Sequence, residues 1–241
     1  MRILIVNDDS ISSSVLPSFV KWAMGLGEVT VVVPKYEQSG KSQAIDFRNA
    51  VEVKKVDLVD GCEAYTVDST PADCVRFAVT GLHREYDIVF SGINRGYNLG
   101  DDIAYSGTIG AIFEASRLGI KAIAFSTDFD TFDYALAEID SVYSFIKDNR
   151  LLETCGLFNV NFPTARSKGI VLTRQGGMFF SDEFVDCGND MFKQVGEPFV
   201  DDSDDLSVDI CAIRRGYISV SPLTSAKTDF SAYEKLKSMN L

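Results

Sequence analysis

Histidine and paired cysteines are nearly missing from this chain, and their scarcity narrows the chemistry it can perform. The 241 residues contain one histidine, His83, and five cysteines with no Cys-x-x-Cys pair. A Ser-His-Asp triad needs a histidine base, and no triad motif accompanies His83. No cysteine has an arginine six residues later, so the cysteine chemistry of tyrosine phosphatases is not indicated. Water activated by a metal ion remains as a route to hydrolysis.

Long apolar runs and positive charge are also scarce. No apolar run approaches the ~20 residues of a membrane helix, so we expect no membrane span. Lysine and arginine total 23 against 35 aspartates and glutamates, and the resulting net charge of −12 argues against a general nucleic-acid surface. The odd number of widely spaced cysteines and the lack of a signal-peptide pattern predict reduced thiols in a cytoplasmic protein.

The first part of the chain alternates between strand and helix patterns. Apolar runs typical of buried strands lie at residues 3–6, 29–33, 87–90 and 121–125. Helical patterns follow at 16–26, 71–82, 108–118 and 134–146. This alternation predicts an α/β protein with a mostly parallel sheet and right-handed crossovers.

The pattern changes in the second part. Strand-like pieces are predicted at residues 158–162, 169–173, 208–213 and 217–220, with a loop-rich acidic stretch at 176–205 and a short helix at 230–237. Projecting strands leave edges that need a cover, and exchange between identical chains is a low-cost one. We therefore expect a homodimer or a larger even-numbered assembly with residues 216–241 at the interface. The alternative is that these strands fold back on their own core.

Two adjacent aspartates, Asp8 and Asp9, come directly after the first predicted strand. Ligands in open α/β sheets bind outside the carboxyl ends of the strands, so both lie where chemistry is usually done. Two like charges so close together repel each other, and a bound divalent cation relieves this. The alternative is that one aspartate caps the next helix while the other faces water.

Other oxygen-bearing side chains follow later strands. Ser39, Asn94 and the segment 126–128 should converge with the aspartates along one edge of the sheet. Carboxylate, amide and hydroxyl oxygens suit Mg²⁺, Mn²⁺ or Ca²⁺ better than Zn²⁺. These could also be unrelated polar loops that bond their own backbone.

A glycine-rich stretch from Gly92 to Gly110 leads into a helix. Ser106 and Thr108 offer hydroxyls beside backbone N–H groups, and Gly107 permits close approach of an anion. This arrangement predicts a phosphate site at the helix amino terminus. An ordinary serine or threonine helix cap is the alternative.

Taken together, these segments resemble the survival protein SurE family of metal-dependent nucleotidases over nearly the whole chain. The long central block at 91–111 is highly specific, and the other segments add weight through their order. They are NDD (7–9), EQSG (37–40), TPADCV (70–75), SGINRGYNLGDDIAYSGTIGA (91–111), TRQGG (173–177) and GYISVSPLT (216–224).

The resemblance implies a fold and an activity. The fold is one domain over residues 1–241, with a Rossmann-like core at 1–150, helices on both faces of its sheet and a strand-rich extension with hairpins at 151–241. The extension serves oligomerisation, so a homodimer or homotetramer is expected. The activity is hydrolysis of nucleoside 5′- and 3′-monophosphates, with short polyphosphate as a further substrate.

The resemblance also assigns residues. One divalent metal ion per subunit, Mg²⁺ or Mn²⁺, would be held by Asp8, Asp9, Ser39 and Asn94, and the two aspartates would be catalytic. Phosphate would be bound by Asn98, Ser106, Gly107 and Thr108. This chain departs from the usual pattern in having Ser10 in place of glycine, an unusual Ile-Ser-Ser-Ser at 11–14, and Lys-Ser-Gln at 41–43.

Two other functions stay open on the sequence. Asp128 to Thr131 partly match the D-x-D-x-T motif of dehalogenase-like phosphatases, in which the first aspartate is the nucleophile; a solvated loop is the simpler interpretation. A nucleotide- or polyphosphate-binding protein without turnover is the other.

Overall fold

The computed structural model describes residues 1–198 and 203–239. The strands are β1 (Arg2–Val6), β2 (Glu28–Pro34), β3 (Val53–Val56), β4 (Glu63–Val67), β5 (Ile88–Arg95), β6 (Lys121–Thr127), β7 (Leu157–Asn161), β8 (Ile170–Leu172), β9 (Glu183–Asp186), β10 (Phe192–Val195) and β11 (Ile218–Pro222). The helices are α1 (Leu16–Met24), α2 (Pro71–Arg76), α3 (Gly107–Arg117), α4 (Asp133–Asp148), α5 (Leu151–Thr154), α6 (Asp209–Arg214) and α7 (Phe230–Lys237). None of the described helices has the length and apolar character needed to cross a membrane.

Nine strands form one sheet in the order β3-β4-β2-β1-β5-β6-β7-β11-β8. The six neighbours from β4 to β7 run parallel, in the strand order of the Rossmann fold. The chain builds outward from β1 to β2 and β4, and then returns to the other side of β1 to form β5. This reversal lies between β1 and β5, and such switch points are where open α/β sheets bind ligands.

Helices cover both faces of the sheet, as predicted. One core packs α1 and α4 on the sheet through Phe19, Val142 and their neighbours, and the other packs α2 and α3 through Val75, Ile112 and theirs. A strand whose two faces both meet apolar helices is apolar throughout, which is why β1 reads as a continuous apolar run. The predicted α/β class with a mostly parallel sheet is confirmed.

The second part of the chain departs from the sequence prediction in two ways. Three of its strands do not project, because β7, β11 and β8 extend the central sheet, with β11 antiparallel to β7. The segment predicted as a strand at 208–213 is instead the helix α6, whose residues Ile210 to Ile213 are all buried. Only β9 and β10 form a separate hairpin among the described residues. Residues 44–47, whose alternation of apolar and polar side chains predicts a short exposed strand, do not form one.

A buried carboxylate, that of Glu114 on α3, ties this helix to its surroundings. Glu114 is 3% exposed and accepts hydrogen bonds from Arg76 (3.1 Å), Arg117 (2.7 Å) and Gln43 (2.9 Å). Burial opposes its charge, but the hydrogen bonds from Arg117 and Gln43 outweigh it, and the pKa of Glu114 is lowered. Gln43 belongs to the loop after β2, so this carboxylate links that loop to α2 and α3.

We expect Glu114→Gln to lower the free energy of unfolding by about 2 kcal/mol at neutral pH. The expected loss of stability is moderate because the guanidinium groups of Arg76 and Arg117 are partly exposed. Since the folded pKa lies below the ordinary glutamate value, the contribution is full above that value and is lost as pH falls through the folded pKa. Urea unfolding from pH 7 to pH 3 checks this. Glu153→Gln, which removes an exposed ion pair with Arg150, is the control and should change stability by less than about 0.5 kcal/mol. An equal loss from both variants at every pH would contradict the assignment.

Candidate active site

Asp8 lies at the carboxyl end of β1 and is 4% exposed. Its Oδ1 accepts a hydrogen bond from the Thr108 hydroxyl at 2.6 Å, and its carbonyl accepts from the backbone N–H of Gln38 at 2.8 Å. Gly107 approaches so closely that a Cβ there would lie 3.0 Å from the Asp8 Cβ. The first loop, the loop after β2 and the amino terminus of α3 therefore meet around Asp8.

Asp9 lies beside the loop that follows β5. Its Oδ2 accepts a hydrogen bond from the backbone N–H of Arg95 at 3.0 Å. The pairing of β5 with β6 shifts register between Ser91 and Asn94, and such a bulge re-aims the side chains that follow it. The Asn94 amide nitrogen donates to the Gly96 carbonyl at 2.8 Å, which leaves Oδ1 as the atom able to contact a cation. Asp9 and the Asn94–Arg95 backbone thus come together at the switch point.

A cavity of about 540 Å³ opens at this junction. Asp9 and Ser39, predicted from the sequence to share a site, both line it. Asp8 and Asn94 are not in the lining, but each directly precedes a lining residue in the chain, Asp9 and Arg95. The Ser39 hydroxyl donates to Glu37 at 2.9 Å. The full lining is Asp9, Ser12, Ser13, Ser14, Glu37, Ser39, Arg95, Phe129 and Phe132.

The electrostatics of the aspartate pair suit a cation. Burial raises the pKa of Asp8, although the Thr108 hydroxyl opposes the shift. Burial and the neighbouring Asp8 charge raise the pKa of Asp9 to about 7. Both shifts favour the neutral acids, so a bound cation would lower the cost of ionising this pair. The donor set of carboxylate, amide and hydroxyl oxygens fits a hard divalent ion such as Mg²⁺ or Mn²⁺.

Asn98 belongs to a buried hydrogen-bonded network at the ends of β6 and β7. Its side chain donates to the Ser126 hydroxyl at 2.7 Å, and its backbone N–H donates to Asn161 Oδ1 at 2.9 Å. Its carbonyl accepts from the side chains of Asn159 and Asn161. Asn98 is 6% exposed and is not part of the cavity lining. The predicted contact of Asn98 with phosphate stays a prediction.

Ser106 and Thr108 flank the start of α3 in different ways. The Ser106 hydroxyl oxygen caps the helix by accepting from the backbone N–H of Ile109 at 3.1 Å. That contact leaves its proton available to a ligand. The Thr108 hydroxyl donates to Asp8 instead, so its proton is used to orient a carboxylate. The amino terminus of α3 still points its backbone toward the Asp8 side of the site.

A clamp from the second part of the chain holds the glycine-rich loop. Asp209, 1% exposed at the start of α6, accepts hydrogen bonds from the backbone N–H groups of Gly100 (3.0 Å), Gly176 (2.8 Å) and Ile210 (2.8 Å). The Asp101 N–H also donates to the Gly177 carbonyl at 2.9 Å. The TRQGG segment therefore packs against the loop that leads to Ser106.

Asp128, the nucleophile of the rival mechanism, sits in a local turn. Its Oδ1 accepts a hydrogen bond from the backbone N–H of Asp130 at 3.0 Å. Such a bond within a turn agrees with the simpler interpretation of this segment as a loop. Phe129 lines the cavity, whereas Asp128 does not.

Several residues of the site were missed in the sequence. Arg95 follows Asn94 directly, and its position beside a predicted ligand was the available signal. Phe129 and Phe132 carried no signal, because only the fold shows that their loop faces this cavity. The serines at 12–14 were marked only as a departure from the family pattern and not as site residues.

Fold and site together define an α/β protein of the Rossmann type with an oxygen-lined cleft at its switch point. The family profile described as "Survival protein SurE" matches residues 3–182. The chain therefore belongs to the SurE family, and the resemblance noted in the sequence is confirmed.

Curated relatives and a solved structure agree with this membership. The chain is 38% identical to "5'-nucleotidase SurE 1" of Thermus thermophilus over 253 residues, covering 99% of this chain and 98% of the relative. It is 36% identical to "5'-nucleotidase SurE" of Pseudothermotoga lettingae over 245 residues, covering 98% and 94%. The crystal structure of the SurE protein from Aquifex aeolicus matches with a TM-score of 0.79 and 31% identity, covering all of both chains.

Proposed function

We propose that this protein is a divalent-metal-dependent 5′-nucleotidase that hydrolyses nucleoside monophosphates to nucleoside and phosphate. The curated names of its relatives support the nucleotidase activity. The observation that carries the proposal is the meeting of Asp8, Asp9, Ser39 and the Asn94 loop with the amino terminus of α3 at the switch point. Oxygen ligands for a cation and backbone donors for a phosphate thus lie side by side.

Each residue has a task in this proposal. Asp8, Asp9, Ser39 and Asn94 would hold one metal ion per subunit, Mg²⁺ or Mn²⁺. When bound, such an ion polarises phosphoryl oxygens and lowers the pKa of water. Thr108 holds the Asp8 carboxylate in one orientation through its 2.6 Å hydrogen bond. Asp9, whose carboxylate faces the cavity, would orient or deprotonate the attacking water.

The phosphate would lie against the start of α3. The Ser106 hydroxyl proton and the helix amino terminus would meet the equatorial oxygens, where charge spreads in the transition state. Asn98 and Gly107 would shape this side of the site, Gly107 because its lack of a side chain leaves room beside Asp8. The whole field of the protein is acidic, so binding a dianion depends on these local donors and the metal.

A panel of phosphate release by substrate and metal tests the proposal. Nucleoside 5′- and 3′-monophosphates and tripolyphosphate are incubated with Mg²⁺, Mn²⁺ or EDTA. We expect phosphate release from the 5′-monophosphates with either metal and none with EDTA. Binding of nucleotide without release in any metal would favour the binding-protein alternative, and release that survives EDTA would contradict the metal dependence.

Compartment and assembly complete the proposal. Cys62, Cys74, Cys155 and Cys187 are thiols rather than disulfides, which supports a cytoplasmic location. Two segments expose apolar side chains that another subunit would cover. The helix α7 buries none of its residues and exposes Phe230, Tyr233 and Leu236, and the β9–β10 hairpin exposes Phe184 and Phe192. These surfaces support a homodimer or homotetramer built by the second part of the chain.

Deleting residues 229–241 tests the helix as an interface. The deletion spares β11, which lies between β7 and β8 in the central sheet. The deletion at 229 leaves the core intact, since α7 contributes no buried residue. We expect light scattering to show a dimer or tetramer for the full chain at micromolar concentration and a smaller species for the deletion, with matching thermal unfolding of the core. A monomeric full chain would contradict the proposed assembly. An unchanged assembly after the deletion would show that the interface lies away from α7. The deleted segment includes residues 240–241, which lie outside the described structure.

A further inference from the structure

An exposed aromatic ring is fixed at the rim of the cavity. Phe129 is 59% exposed, and its ring lies directly against Gly96, where a Cβ would stand 2.7 Å from the ring's Cζ. Gly96 also has a positive φ of 114°, which a side chain rarely adopts. The Arg95 Nε donates to the Phe129 carbonyl at 2.8 Å. The glycine and the arginine thus hold this ring at the cavity without burying it.

Phe129 differs in this from the other aromatic residue of the lining. Phe132 is half-buried and packs against the core formed with α1 and α4, so its contribution to that core explains its position. Phe129 belongs to none of the hydrophobic core clusters of the described residues, so core packing does not explain its position. A flat apolar surface beside a polar site is typical of ligand recognition.

Neutral hydroxyls form another part of the lining. Ser12, Ser13 and Ser14 all line the cavity in the segment where this chain departs from the usual family pattern. The turn before them is fixed locally, because Ser10 has a positive φ of 72° and its hydroxyl lies 2.8 Å from that of Ser12. Serine hydroxyls both donate and accept hydrogen bonds, which suits the hydroxyls of a sugar.

We propose that this cavity is the subsite for the nucleoside part of the substrate, with the base stacked on Phe129 and the sugar hydroxyls bonded to Ser12, Ser13 and Ser14. This assignment rests on the proposed nucleotidase function and names the part of the substrate that the enzyme recognises beyond the phosphate. The volume of about 540 Å³ lies within the range of small-molecule sites. Stacking tolerates every base, so the subsite accepts nucleosides as a class.

Binding of adenosine tests the subsite without requiring catalysis. Titration calorimetry compares wild type, Phe129→Ala, Phe129→Trp and Phe47→Ala. Phe47 is 78% exposed and lies outside the cavity, so it controls for loss of a surface ring. We expect Phe129→Ala to weaken adenosine binding by roughly tenfold or more, Phe129→Trp to restore it, and Phe47→Ala to leave it unchanged.

The kinetic counterpart uses adenosine 5′-monophosphate and ribose 5-phosphate. Phe129→Ala should lower kcat/KM for the nucleotide by a similar factor, through KM, and leave ribose 5-phosphate within about twofold. Equal adenosine binding by wild type and Phe129→Ala, or equal losses on both phosphate esters, would overturn the subsite. Those results are separate from failure of the nucleotidase function, which the phosphate-release panel on wild type reports.

Discussion

Replacing Asp9 with asparagine should lower turnover of a nucleoside 5′-monophosphate by about 10²-fold or more. The change removes one negative charge from the proposed metal site and the group placed to orient water. The fold should survive, because an asparagine oxygen can still accept the hydrogen bond from the Arg95 N–H. Phosphate release under saturating substrate and metal measures the loss, and circular dichroism checks the fold.

Asp128→Asn is the matched control for this variant. Asp128 carries the same side chain directly after β6, where it accepts from the Asp130 backbone and interacts with the Tyr97 hydroxyl. It should retain most of the wild-type turnover. If Asp128→Asn alone abolished phosphate release while Asp9→Asn did not, the dehalogenase-like mechanism would replace the present one.

Replacing Asp209 with alanine should lower the free energy of unfolding by about 2–4 kcal/mol and reduce kcat by about tenfold. Three backbone N–H groups lose their acceptor, two of them in loops that meet beside the site, at Gly100 and Gly176. The loop leading to Ser106 would then be held less firmly. Urea unfolding gives the first quantity, and steady-state kinetics at a temperature well below unfolding gives the second.

Two further variants separate positioning from bulk stability. Asp209→Asn keeps one acceptor oxygen and should recover part of both losses. Asp57→Ala, at an exposed aspartate far along the chain, should change neither. A variant Asp209→Ala that is destabilised but keeps full kcat would show that the clamp serves the fold alone.

The parts of the fold that depend on local pattern could be predicted from the sequence. Residues 3–6 of β1 and 29–33 of β2 are almost all apolar because both faces of these strands are covered. A threonine directly before a proline signals the start of α2. Asp8 and Asp9 could be placed at the ligand-binding edge because they end the first strand of an alternating pattern. The resemblance to the family rests on short motifs, several of which the sequence also predicts to be polar loops after strands.

The remainder depends on contacts between distant residues. The bond from Asp209 to Gly100 joins positions 109 residues apart, and the one from Asn161 to Asn98 joins positions 63 apart. No local pattern signals such pairs. The helix α6 was mistaken for a strand because a short helix buried on nearly all sides shows no helical period. The position of Phe129 could not be predicted, because the residues around it, Arg95 and Gly96, come from the end of β5 and the loop that follows.

Direct measurement of Mn²⁺ binding tests the metal site more closely than any rate. Electron paramagnetic resonance titrations on wild type, Asp9→Asn and Asp128→Asn count the bound ions and give their affinities. We predict one Mn²⁺ per chain for wild type and Asp128→Asn. Changing residues that only support metal ligands weakens metal binding by roughly 10- to 100-fold. Because Asp9 would itself be a ligand, we expect Asp9→Asn to weaken Mn²⁺ binding by at least that factor. Equal affinity in all three proteins, or no binding by wild type, would contradict a metal site at Asp8, Asp9, Ser39 and Asn94.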